Sequence, residues 1–337
     1  MTTEIIKKYS EAFGPTGLED EITSLIFEDI KGFADSCGYS PLGGVYAYIK
    51  GTDPENNPTR LICSGVDEVS FMVGDIDDNG FVRPKKLTKY NAGAICSKKV
   101  TVGNENIKIN GVMSAKVLHL ASGSDRENPN IDKCFIDLGY SKKDELEGKI
   151  EKGDFITFYE SCTSFGKNKL KGKALGNRTN VALMVEEIQS IKQKPLCDTV
   201  FFFAVKEKVG MSDLFWAVRK FAPKKTLVLS SLPAINSEKE SNCKLDCGVV
   251  LPTHDGFSLY FGSDSYTAII NSDIKHQIPR TVEEGQPSAK AQLSGVGTEM
   301  INLSLPCRNM LTPGEIVSLS DIEEMKKAIT YFVEGKI

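Results

Sequence analysis

The sequence predicts an α/β fold, with a parallel sheet covered by helices and a small β-barrel inserted into it. Residues 199–205 (TVFFFAV) form an apolar run without polar alternation, which is typical of a strand buried on both faces. Helical periodicity before Val69 and after Gly166 gives way between them to short β runs separated by Gly, Asn and Asp. That change of period favours a separate β unit over a continuation of the same sheet.

Helices are predicted where apolar residues recur every three or four positions. Residues 3–12 form the first and end before Gly14 and Pro15, and residues 18–33 form the second. Residues 180–191 and 212–221 are predicted helices of the second half. Residues 320–333 form the last, with a capping box of Ser320 and Glu323 expected at its first turn.

Strands are predicted from short runs of β-favouring residues. In the α/β part these are residues 45–49, 60–64 and 226–229, besides the run at 199–205. In the inserted part, residues 71–83 read as a hairpin that turns at Asp78, Asn79 and Gly80. Further strands of that part are predicted at residues 99–102, 107–112 and 155–158.

Composition indicates a globular protein and argues against several partners. The 337 residues are 40% hydrophobic and 26% charged, with a net charge of −4 and no long basic run, so nucleic acid is not an expected partner. No apolar run reaches about 18 residues and the first residues lack a signal-peptide core, so no membrane association is expected. Nine cysteines without a CxxC motif favour reduced thiols and a cytoplasmic location.

Three charged residues follow the apolar run at 199–205. They are Lys206, Glu207 and Lys208. Because ligands of open α/β sheets bind beyond the carboxyl ends of the strands, these side chains are candidates for a site. An ordinary solvated turn after a strand is the alternative.

Several motifs together resemble the M42 family of clan MH metallo-aminopeptidases, the tetrahedral or glutamyl type. They are FGPTGLEDE (13–21), SPLGG (40–44), the hairpin FMVGDIDDNGFVR (71–83), LKGKALGNR (170–178) and PCRNMLTPGE (306–315). The resemblance implies a three-layer aminopeptidase-like domain with a mixed, largely parallel sheet, formed by residues 1–67 and 164–337. It places the inserted β-barrel at residues 68–163. It also implies peptide hydrolysis with two zinc or cobalt ions and assembly into dodecamers.

The same resemblance assigns roles to residues of the cleft. Glu207 stands at the general-base position and Asp67 at the position of the carboxylate that orients a ligand. The five metal-ligand positions hold residues that are not His, Asp or Glu: Gly65, Gly176, Lys208, Ser230 and Leu311. A serine could coordinate zinc weakly, but the other four side chains supply no suitable donor. A dismantled metal site without bound metal is therefore expected, with Glu207 and Asp67 vestigial.

The formal charge of such a cleft would be unchanged by these substitutions. In the family pattern, two divalent ions and three ligand carboxylates sum to one positive charge, and here Lys208 supplies one positive charge. Because buried carboxylates need a partner, we expect Lys208 to lie in the cleft and to pair with Asp67, Glu207 or both.

The expected function is that of a catalytically inactive aminopeptidase homologue. It would act through homo-oligomer assembly, including co-assembly with active paralogues, or through peptide binding. One alternative is an active metallo-aminopeptidase with a site rebuilt around His254, Asp255, Asp264 and His276. Another is a module that binds a small ligand in the vacated cleft. A glycosidase is less favoured, because Glu207 has no second carboxylate at the same strand end.

Overall fold

The computed structural model describes residues 2–115, 130–234, 243–254, 259–279 and 287–337. Its helices are α1 (Thr2–Glu11), α2 (Asp20–Ile30), α3 (Leu175–Ser190), α4 (Ser212–Phe221), α5 (Asp264–Ile270) and α6 (Leu319–Val333). Its strands are β1 (Ser36–Tyr39), β2 (Val45–Ile49), β3 (Arg60–Gly65), β4 (Ser70–Ile76), β5 (Val82–Lys86), β6 (Lys98–Gly103), β7 (Lys108–Ala115), β8 (Cys134–Asp137), β9 (Phe155–Phe158), β10 (Thr163–Ser164), β11 (Lys169–Gly172), β12 (Thr199–Ala204), β13 (Lys225–Pro233), β14 (Val249–Val250), β15 (His276–Gln277), β16 (Glu299–Cys307) and β17 (Glu315–Ser318).

The main sheet has eight strands in the order β1-β2-β12-β3-β13-β16-β14-β15. Its centre is parallel, because β12 and β13 both run parallel to β3 and β16 runs parallel to β13. The pairs β1–β2, β2–β12 and β14–β16 are antiparallel. The predicted mixed, largely parallel sheet is therefore confirmed.

Both faces of this sheet are covered, which explains the unbroken apolar run at residues 199–205. Phe201 and Phe203 of β12 pack in one apolar cluster with α1, α2, α3 and α6. Val200 and Phe202 pack in a second cluster with α4 on the opposite face. With a hydrophobic layer on each side, successive residues of β12 are all buried and no alternation is needed. The three-layer α/β architecture is confirmed.

The β unit between the two halves is a closed barrel of six strands, in the order β4-β5-β8-β7-β6-β9. It has its own apolar interior, centred on residues such as Phe71, Ile136 and Ile156. The hairpin turns where the sequence predicts, since the Gly80 amide donates to the Asp77 carbonyl at 2.9 Å. The domain boundaries at residues 67/68 and 163/164 stay a prediction.

The start of helix α3 and the capping of helix α6 differ from expectation. Helix α3 begins at Leu175, five residues before the predicted start, after Ala174 in the left-handed region with a φ of 53°. Helix α6 begins at Leu319 without a side-chain cap, and the Ser320 hydroxyl donates to Asp246 at 3.2 Å, so the predicted capping box is wrong. Within the described ranges, no helix is long and apolar enough to cross a membrane.

Candidate functional site

A cavity of about 220 Å³ lies beyond the carboxyl ends of the parallel strands β3, β12 and β13. Sheet geometry places it there, because neighbouring parallel strands end at the same edge. The cavity brings together residues that are far apart in sequence: Asp67, Gly176, Glu207, Lys208, Ser230 and Leu311. Gly65 lies beneath Glu207 at the end of β3.

Asp67 is fully buried and holds the turn that follows β12. Its carboxylate accepts hydrogen bonds from the Thr16 hydroxyl at 2.7 Å and from the backbone amides of Glu207 at 3.2 Å and Lys208 at 3.1 Å. Its negative charge is therefore balanced by hydrogen-bond donors, and it fixes the main chain on which Glu207 and Lys208 stand. The sequence predicts Asp67 as a residue of the cleft but does not predict these hydrogen-bond donors.

Lys208 lies in the cavity, as predicted, and pairs with Glu207. The Nζ of Lys208 lies 3.7 Å from Oε2 of Glu207, and the two side chains are 17% and 18% exposed. Burial by itself would lower the pKa of Lys208, but the carboxylates of Glu207, Asp67 and Glu315 outweigh it and raise that pKa. The ammonium group therefore stays charged at neutral pH.

The Glu207 side chain fills the space above Gly65. A Cβ added to Gly65 would lie 2.7 Å from the Cβ of Glu207, which is closer than real Cβ contacts. The Asn177 amide donates a hydrogen bond to the Glu207 carboxylate. Burial raises the pKa of Glu207, and the nearby Lys208 ammonium opposes that shift.

Glu315 is a buried carboxylate of the cavity to which sequence reasoning gave no role. It accepts hydrogen bonds from the backbone amides of Gly176 at 2.9 Å and Leu311 at 3.0 Å. Its bond to Gly176 satisfies an amide in the first turn of α3, which explains why that helix starts early. Burial raises the pKa of Glu315. The signal for it was its place at the end of the motif PCRNMLTPGE.

The Ser230 hydroxyl is hydrogen-bonded to its neighbours, and the Leu311 side chain packs against apolar residues. The Ser230 hydroxyl lies 2.7 Å from the Asn302 side-chain oxygen and 2.7 Å from the Ser304 hydroxyl, both on β16. Leu311 packs against the apolar interior of the barrel. With Val69 and Phe158 it gives the cavity an apolar wall.

A buried ionic cluster adjoins the cavity and was missed by sequence reasoning. Glu68 accepts hydrogen bonds from Lys173 at 2.7 and 2.8 Å and lies 3.4 Å from Arg178. Arg178 is fully buried and also donates to the carbonyls of Val66 and Tyr9. Through these bonds the cluster ties α3 to the N-terminal segment and to the end of β3.

The side chains present do not fit a two-metal site. The five predicted ligand positions hold no His, Asp or Glu. Among the residues that the structure describes, no three His, Cys, Asp or Glu side chains are grouped so that they could share a metal ion. Of the residues considered for a rebuilt site, His254 lies 2.9 Å from the Thr253 hydroxyl, His276 lies 2.9 Å from the Ile274 carbonyl, and Asp255 is outside the described residues. The roles assigned to Glu207 and Asp67 stay predictions.

Comparisons with known proteins identify the relatives of this chain. It is 26% identical to the "Putative aminopeptidase FrvX" of Escherichia coli strain K12, over 99% of this chain and 95% of that protein. Among solved structures, aminopeptidase APDkam598 of Desulfurococcus kamchatkensis is similar with a TM-score of 0.90 and 24% identity, over 99% of this chain and 94% of that one. The TET1 peptidase of Pyrococcus horikoshii, which can assemble into a tetrahedron or a large octahedral shell, is similar with a TM-score of 0.86 and 22% identity, over 99% of both chains.

A family model gives the assignment directly. The model for the M42 glutamyl aminopeptidases matches residues 43–328, which include every strand of the main sheet except β1 and the whole barrel. The resemblance seen in the motifs is thus matched over most of the chain. This chain belongs to the M42 glutamyl aminopeptidase family.

Proposed function

We propose that this protein is a catalytically inactive member of its family, which acts through oligomer assembly or peptide binding. The observation that carries the proposal is the state of the five predicted ligand positions. Four of them offer no donor for zinc, and the hydroxyl of the fifth, Ser230, is bonded to Asn302 and Ser304. The space above Gly65 is taken by Glu207, and the cation nearest to Glu207 is Lys208.

Assembly into a homo-oligomer is the role we favour, with active paralogues as further partners. Support comes from the fold shared with the TET1 peptidase, which forms closed shells. We place the protein in the cytoplasm, because all nine cysteines are free thiols. Light scattering of the purified chain at micromolar concentration should give a multiple of 36.9 kDa. A monomer at that mass would refute the assembly role.

Metal content and turnover test the proposal of inactivity. The purified chain should contain no stoichiometric zinc and should not hydrolyse amino-acid amides when zinc, cobalt or manganese is added. An active family member assayed in parallel shows that the metals and substrates are competent. Stoichiometric zinc together with turnover would overturn the proposal and establish a working aminopeptidase.

A second function, binding of a small ligand in the cleft, is favoured by one observation. The cavity remains open at about 220 Å³ although its predicted metal ligands are replaced. In liquid water each molecule takes up about 30 Å³, so the cavity has room for several water molecules.

A further inference from the structure

We infer that the cleft beside Lys208 binds, without metal, a small carboxylate that carries an apolar body. The inference rests on the proposed function, because it needs a cleft that is free of metal ions. It is carried by three features of the cavity: a cation whose ion-pair partner among the described residues lies beyond hydrogen-bond distance, a second donor lining the same cavity, and an apolar wall.

The cation is the ammonium group of Lys208. Its three N–H donors have no acceptor at hydrogen-bond distance among the described residues, since the nearest carboxylate oxygen, of Glu207, is 3.7 Å away. Asp67 is also near, but its oxygens already accept three hydrogen bonds. The Lys208 side chain is 17% exposed, and a mostly buried ammonium gains most from a charged acceptor such as a carboxylate.

The second donor is the hydroxyl of Ser231. Its described partner is the Met310 sulfur at 3.4 Å, and a thioether is a weak acceptor. Ser231 lines the same cavity as Lys208. Because a hydroxyl rotates freely, it can turn from sulfur to a ligand oxygen at small cost. Lys208 and Ser231 together offer a carboxylate two donors.

The apolar wall is formed by Val69, Phe158, Met310 and Leu311. Leu311 stands at a predicted ligand position, so the substitution that removes a metal donor also adds apolar surface. Sites for small ligands are commonly apolar with a few placed polar groups. This wall therefore suits a short branched aliphatic chain attached to the carboxylate.

Net charge does not oppose the entry of an anion. The ionisable groups of the cavity and the arginine behind it are equally divided between acids and bases: Asp67, Glu68, Glu207 and Glu315 against Lys89, Lys173, Lys208 and Arg178. Glu68 is neutralised by Lys173 and Arg178. A ligand carboxylate would share Lys208 with Glu207, its ion-pair partner, and with the nearby Asp67 and Glu315.

Calorimetric titration of the full chain in EDTA tests the inference with three ligands that have the same aliphatic body. They are L-leucine, 4-methylpentanoate and L-leucinamide. At least one of the two carboxylates should bind, and leucinamide, which lacks the carboxylate, should bind at least about tenfold more weakly. Binding of both carboxylates would identify plain acids as ligands, and binding of leucine alone would identify amino acids.

Variants locate the site. Lys208→Met should weaken carboxylate binding at least about tenfold, whereas Lys206→Met, on the same turn but outside the cavity lining, should leave it within about twofold. Ser231→Ala should weaken binding about threefold, and it keeps the test valid if Lys208→Met does not fold.

Three results would overturn the inference: no binding of either carboxylate, equal binding of leucinamide, or wild-type binding by Lys208→Met. Failure of the proposed function has a different signature, which is stoichiometric zinc with amide turnover. A chain without zinc or turnover that also binds no carboxylate would refute this inference alone.

Discussion

Removing the Lys208 ammonium is the sharpest test of the charge arrangement in the cleft. In Lys208→Met a chain of similar length stays, but Glu207 loses its cation. Exposed ion pairs contribute under about 1 kcal/mol, and breaking a buried pair costs about 3–5 kcal/mol. The present pair is mostly buried but 3.7 Å long, and Asn177 still donates to Glu207 in the variant. We therefore expect a loss of about 1–3 kcal/mol in the free energy of unfolding.

Urea unfolding followed by tryptophan fluorescence measures this loss. Trp216 is the single tryptophan of the chain. Its ring centroid lies 6.0 Å from that of Phe202, on the strand that leads to the ion pair, and 6.0 Å from that of Phe221. Lys206→Met is the matched control, because it removes a lysine from the same turn but outside the cavity lining.

A double-mutant cycle isolates the pair itself. Glu207→Gln is made alone and together with Lys208→Met, so that losses not due to their interaction cancel. The coupling free energy between the two positions should be about 1–2 kcal/mol. A coupling below about 0.5 kcal/mol would show that Lys208 and Glu207 do not interact, and the expectation that the Lys208 charge serves Glu207 in place of a metal ion would be wrong.

Three further predictions follow from the surroundings of the pair. Gly65→Ala should lower the free energy of unfolding by about 1–3 kcal/mol, because its Cβ would collide with Glu207; an unchanged urea midpoint would contradict this. Arg178→Lys should cost about 2–4 kcal/mol, because a single ammonium cannot reach all the carbonyls that the guanidinium bonds, and a loss under about 1 kcal/mol would refute that role. Burial raises the pKa of Glu19 from 4.5 to about 7, so the folded chain binds the extra proton between these values. Its stability contribution is therefore full below pH 4.5 and is lost, by about 3 kcal/mol, as pH rises from 4.5 through 7. Glu19→Gln should flatten this part of the stability–pH curve, and an unchanged curve would refute the assignment.

The sheet and the barrel could be predicted because their signals are local. An unbroken apolar run indicates that β12 is buried on both faces. The residues Asp78, Asn79 and Gly80 indicate the hairpin turn. Strand β16 escaped prediction, although it pairs with β13 along its whole length. From Ile301 to Cys307 its sequence alternates apolar residues with Asn, Ser or Pro, a period that predicts a strand with one exposed face. In the structure both faces are buried, and Asn302 and Ser304 are accommodated through bonds to Ser230.

The details of the candidate site depend on contacts between residues that are distant in sequence. Gly176 and Glu315 are 139 positions apart, and no local pattern predicts that the Glu315 carboxylate accepts a hydrogen bond from the Gly176 amide in the first turn of α3. The same holds for Asp67, whose partners at residues 207 and 208 are 140 and 141 positions away. Sequence motifs identify the positions of the cleft, but the hydrogen-bond partners of each side chain are set only when the sheet brings distant residues together.

The substituted positions are consistent with one another in space and in charge. Glycine at 65 gives Glu207 room to lie over the end of β3, and Lys208 meets the negative charge that Glu207 brings there. Leucine at 311 adds its side chain to the barrel interior, where a polar side chain would be costly without a partner. A side chain at position 65 would collide with Glu207, and loss of the Lys208 ammonium would leave Glu207 without its cation. This fit among Gly65, Glu207 and Lys208 is the physical basis of our proposal that the cleft works without a metal ion.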